Sequence, residues 1–156
     1  MKKIVLLAAM GLVMNTLKAQ SVDDVRELLG KKDVDYTKAK ETVDKHLANP
    51  KNAAKADGWY YKGFIYNAIS KRNELKALCG NCKMEAFEAF KKYQELDKKN
   101  ILMALEQNVS LFDLYNGLFD QGAAAYNDKN YKAAFENFRD ALLVEDYVRG
   151  KGFDYQ

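Results

Sequence analysis

Apolar residues along the chain recur three and four positions apart rather than alternately. Tyr36, Ala39 and Val43 follow this spacing, as do Ala86, Phe90 and Tyr93, and again Ala134, Phe138 and Ala141. Side chains so spaced are neighbours on one face of an α-helix. Clusters of β-branched residues with alternating polarity are missing after the first twenty positions, and Pro50 is the single proline. The pattern predicts an all-α chain. Helix 36–48 is expected to stop at Asn49-Pro50, because proline pushes the residue before it out of the helical region. A shorter helix, about Ser21 to Leu29, precedes it. A helical lead from Ile101 to Gln107, capped by Asn100, is expected ahead of the last long pair. Asp128-Lys129-Asn130 reads as the polar turn inside that pair.

The groups repeat as units. From Tyr115 to Val148 the chain carries Gly122-Ala123-Ala124-Ala125-Tyr126, then Tyr131, Ala134, Phe138 and Ala141. Gly122 and Ala134 allow two antiparallel helices to approach closely, while Phe138 and Ala141 fill the seam between them. This segment resembles the tetratricopeptide repeat over its whole length, with Tyr131 at the opening of the second helix. Trp59-Tyr60-Tyr61-Lys62-Gly63-Phe64-Ile65-Tyr66 resembles the first helix of the same repeat, departing from it at Lys62. Its second helix, with Ala86, Phe90 and Tyr93, comes late. Gly63 to Ala86 is 23 residues where Gly122 to Ala134 is 12. An insertion of roughly 70–83 accounts for the difference, and it holds both cysteines. A first, degenerate unit spans about 20–53, the second 56–98 and the third 115–148.

The resemblance implies a right-handed superhelix of about three antiparallel hairpins. It places the first helix of each unit on an inner, concave wall. Tyr60, Phe64 and Asn67 would face inward from the second unit, and Asn116, Phe119, Ala123 and Asn127 from the third. Relatives that grip C-terminal carboxylates use Lys and Asn at places occupied here by Tyr60 and Phe64, and by Phe119 and Ala123, so that clamp is not expected. Tyrosine, phenylalanine and asparagine on an open wall suit a peptide groove. The alternative for these aromatics is cover by neighbouring helices. Arrays of this kind normally close with a polar helix, and Gly150 to Gln156 supplies none. The face of helix 131–146 that would meet a next helix is therefore expected to be open, as at the front of a longer protein.

The first twenty residues change the reading of charge. Lys2-Lys3, an uncharged and mostly apolar run from Ile4 to Met14, and Ala19 before Gln20 have the layout of a secretory signal peptide. Lys18 ends the run short of the roughly 20 apolar residues that a membrane span needs. Cleavage after residue 19 removes Lys2, Lys3 and Lys18 and no acid. Of the 25 basic side chains 22 then remain, matching the 22 acidic ones. The mature chain, 20–156, is formally neutral, which removes the electrostatic case for nucleic acid. Export to the periplasm or beyond a Gram-negative envelope is expected, with no membrane span after cleavage.

Candidate chemistry is sparse. Cys79-Gly80-Asn81-Cys82 is expected to form a local disulfide in an oxidising compartment; free thiols, redox duty and metal binding are the alternatives. His46, the sole histidine, reads as a solvated or helix-C-terminal residue rather than a base. No nucleophile elbow, phosphate loop or metal-ligand set stands out, so neither cofactor nor metal is expected. The expected function is a non-enzymatic protein–protein adaptor of the cell envelope, binding a protein or peptide in its concave face. The alternative is the N-terminal scaffold of a larger exported enzyme or transport component whose active part lies beyond residue 156.

Overall fold

The structure, a computed structural model, describes residues 21–152. The expected signal peptide, 1–19, lies outside the described residues, as do residues 153–156. Within 21–152 the chain is all-helical. Eight α-helices follow one another: α1 (Val22–Leu29), α2 (Tyr36–Leu47), α3 (Pro50–Ala53), α4 (Ala56–Ser70), α5 (Cys82–Leu96), α6 (Ile101–Leu105), α7 (Val109–Asn127) and α8 (Tyr131–Gly150). A 3-10 helix, Asn73–Leu78, lies between α4 and α5.

Side-chain caps set most of the helix starts. Ser21 and Asp24 form a reciprocal capping box on α1, and Asp35 accepts from the Lys38 amide at 2.9 Å on α2. Asn130 caps α8 through the Ala133 amide at 3.2 Å, after Lys129 takes the left-handed conformation (φ 60°) that closes the turn. Two expectations are corrected. Pro50 does more than end a helix: it opens α3, with Asn49 capping the Lys51 amide at 3.0 Å, because proline needs no amide partner in a first turn. Asn100 does not cap the helix after it, which is itself shorter than expected and ends at Leu105. Its backbone is left-handed (φ 51°), and Asp97 takes the Ile101 amide at 3.0 Å instead.

Three successive helix pairs carry the core, α1 with α2, α4 with α5, and α7 with α8, and α2 packs on α4 as well. Val25, Val43, Ile65, Phe90, Leu114 and Val144 are fully buried within it. In the second pair a Cβ on Gly63 would lie 2.5 Å from the Phe90 ring; in the third a Cβ on Gly122 would lie 2.7 Å from the Phe138 ring. At each glycine an aromatic ring stands where a side chain would go. The insertion is ordered by the 3-10 helix and by a disulfide between Cys79 and Cys82, whose Cα atoms are 5.4 Å apart. Cys82 is the first residue of α5, so the bridge ties the insertion to that helix start.

The third pair does not sit level with the second. Ala134 matches Ala86 in its hairpin, 48 residues later, but Asn81 reaches Asp140 and Phe87 meets Tyr147, 59 and 60 residues later. On the other helices Asn67 bonds Asp113, whereas level stacking would put Tyr126 opposite it. Both offsets have the same sense. The α7–α8 pair is displaced along its axis by about twelve residues, roughly 18 Å at the helical rise. Its turn projects past the α4–α5 pair, and every residue from Tyr126 to Lys132 is exposed.

Candidate partner-binding surface

The surface in question is built where α7 lies against α4 and α5. Polar contacts fix this seam. The Asn67 amide donates to Asp113 Oδ2 at 2.6 Å, and the Lys71 ammonium pairs with the same carboxylate. The Lys83 ammonium, in a side chain only 4% exposed, donates to Ser70 Oγ at 3.1 Å and rests on Gly117. Burial pulls the Lys83 ammonium below the usual lysine range, with Asp113 opposing that shift. At the far edge Tyr147 donates to Gln94 Oε1 at 2.6 Å. The Asp113 contacts on α7 and the Tyr147 bond on α8 hold the pair at the displaced level described above.

The displacement decides where the expected site residues fall. Tyr60 is half-buried, with Tyr93 and Tyr61 edge-on to it at 5.5 and 5.4 Å. Burial and the neighbouring Glu106 carboxylate push its hydroxyl up. Asn67 is 5% exposed and committed to Asp113, so it joins the seam rather than an open wall. Phe64 is 38% exposed on α4. On α7, Asn116 and Asn127 are exposed and Ala123 half-buried, spaced along one strip of the helix. Phe119 is 49% exposed and turns toward α8, its ring 5.4 Å from Phe138 and 6.3 Å from Tyr115. Tyr115, Phe119, Phe138, Ala141 and Leu142 line a shallow groove of about 330 Å³. Of the seven residues, then, Asn67 and Tyr60 serve internal packing, and Phe119 joins an aromatic groove beside the Asn116–Asn127 strip.

One feature escaped the sequence reading, and one answers to the open face expected of helix 131–146. Trp59, whose indole donates to the Ala53 carbonyl at 2.8 Å, also floors a groove of about 470 Å³ with Met84 and Ala89. Lys62, Glu88 and Lys92 stand along that groove. The outer side of α8 exposes Tyr131, Phe135 and Leu142 by 58%, 67% and 57%.

Other titratable groups belong to the scaffold. His46 is buried in the last turn of α2, its Nδ1 3.3 Å from the Asn52 amide nitrogen, and it backs onto Gly58. Burial alone would raise the Asp44 carboxyl, but Lys40 at 2.9 Å and the Tyr66 hydroxyl hold it below the usual carboxylate range. Among the described residues, no three His, Cys, Asp or Glu side chains are grouped to hold a metal ion, and no helix is long and apolar enough to cross a membrane.

No family model matches the chain, and neither a curated protein nor a solved structure matches it.

Proposed function

We propose that this chain is a tetratricopeptide-type helical array that works as an exported, non-enzymatic adaptor. It holds a protein or peptide partner along α4 and α7. The observation that carries the reading is Phe119: an aromatic ring half open to solvent, set between Tyr115 and Phe138 over an apolar groove, with Asn116 and Asn127 beside it. A rigid ring in a preformed apolar groove with amide groups at its edge is the usual makeup of a protein-binding anchor. The Gly63–Phe90 and Gly122–Phe138 crossings support the repeat assignment, with the third unit displaced from level stacking. Export rests on Lys2-Lys3, the apolar run and Ala19.

Site-specific photo-crosslinking in intact cells tests this. A crosslinking residue in place of Asn116 or Phe64 should capture one discrete partner protein, and the same residue in place of Lys45 on α2 should not. Equal labelling from all three positions, or a product that retains Met1 in the cytoplasm, would defeat the reading.

A further inference from the structure

The outer side of α8 carries an apolar stripe that no part of the described chain covers. Tyr131, Phe135 and Leu142, four and seven residues apart, align along one side of the helix, while Phe138 between them turns into the seam with α7 over Gly122. The opposite side of α8 faces α5, where Asp140 and Tyr147 make their contacts. Tyr126 of α7 extends the stripe, its ring 5.5 Å from Tyr131. With side chains of this size presenting up to about 200 Å² each, the exposed portions come to roughly 500 Å². That is over half of the about 800 Å² that each partner contributes to a stable interface, and in the upper range of a monomer's largest apolar patch.

We propose that this stripe is a self-association surface on which two copies pair with their α8 helices antiparallel about a two-fold axis near residue 139. The stripe is self-matching about that point. Phe135 lies four residues before it and Leu142 three after, so the axis sets each against the other of the second copy. Lys132 and Asp146, both exposed, flank the stripe on one side and stand seven residues before and after 139. The same axis brings each toward its opposite charge, which fixes register. Arg139, nearest the axis, is already neutralised by Asp140 at 2.7 Å, so no bare like charges meet there. Head-to-tail stacking has no comparable match. The outward side of α1 at the other end presents Asp23, Asp24 and Glu27, all exposed, to an apolar stripe.

Sedimentation velocity on the mature chain tests the pairing. A reversible dimer is expected at micromolar concentration. Phe135→Glu should leave a monomer with unchanged helicity and melting temperature. Lys132→Glu should weaken the dimer by roughly fivefold or more, and adding Asp146→Lys should restore it. A chain that stays monomeric up to ~100 µM overturns the pairing and leaves the stripe to another helical partner. A dimer that survives Phe135→Glu, or a charge exchange without rescue, overturns it equally. Neither outcome bears on the Asn116 and Phe64 crosslinks, which probe other positions.

Discussion

Phe87 and Phe135 occupy matching places in the second and third hairpins, yet one is 4% exposed and the other 67%. The same holds two turns on: Gln94 is 6% exposed, its counterpart Leu142 57%. The hairpins themselves are built alike, each closed by a phenylalanine crossing a glycine. What differs is the neighbour. Tyr147 of α8 covers both Phe87 and Gln94, through a ring contact at 5.4 Å and a hydrogen bond at 2.6 Å, whereas the outer side of α8 has no such cover among the described residues. Burial here is a property of the stack, not of the unit, as expected where each unit contacts only its neighbours.

The sharpest test of this contrast is truncation. Phe87→Ala should cost about 3 kcal/mol or more, the usual loss for a buried aromatic. Phe135→Ala should cost about 0.5 kcal/mol or less in dilute solution. Thermal or urea unfolding at low protein concentration reads both. Equal losses would mean that the outer side of α8 is packed after all.

The glycines refine the comparison. Alanine at Gly63 must displace the fully buried Phe90, while alanine at Gly122 meets Phe138, which is only half-buried and has room to turn. Overpacking should cost about 2 kcal/mol at Gly63 and about half that at Gly122, after the better helix propensity of alanine offsets part of each. Equal melting temperatures for the two variants would show the third seam to be as rigid as the second.

These pairs also show what was legible in the sequence. The trios at three- and four-residue spacing, and the glycines beside their aromatic partners, located α2, α4, α5, α7 and α8, because a helix writes its own period into the chain. The displacement of the third hairpin was not legible. It is held by Asn67 with Asp113 and Asn81 with Asp140, pairs 46 and 59 residues apart that leave no local pattern. For the same reason Asn67 read as a wall residue from its repeat position and lies instead in a seam. Asn100 looked like a cap, but its side chain is engaged by Gln94 and Asn108, both at 3.3 Å, so Asp97 serves the helix start.

The disulfide gives a smaller effect, confined to one hairpin. Cys79 and Cys82 close a very short loop, and the third hairpin has no counterpart of it. A double Cys→Ser variant should lose about 2 kcal/mol or less and keep its helicity. Hydrogen exchange should speed up in the 3-10 helix and at the start of α5, with α7–α8 unchanged. Global unfolding of the variant would show that the insertion supports the scaffold.

The smallest effect concerns the connector that sets the two hairpins apart. Glu106 follows α6 and approaches Tyr60; its Oε2 accepts from Ser110 at 2.8 Å, while its Oε1 is buried without a hydrogen-bond partner among the described residues. Burial raises the Glu106 carboxyl above its ordinary value of 4.5, with Ser110 opposing the shift. A carboxyl raised in the folded state holds its proton more tightly there than in the unfolded chain. The fold therefore bears no penalty below about pH 4.5 and loses stability as the pH rises through the folded value. Glu106→Gln keeps an acceptor for Ser110 and removes the charge. It should stabilise the chain by about 1 kcal/mol at neutral pH, a figure kept low because the side chain is partly open to solvent. The gain should vanish in acid, near pH 4. Unfolding curves of the two proteins at pH 4 and pH 7 check the sign: a variant less stable than its parent at pH 7 would mean that the ionised carboxylate holds the connector against Tyr60.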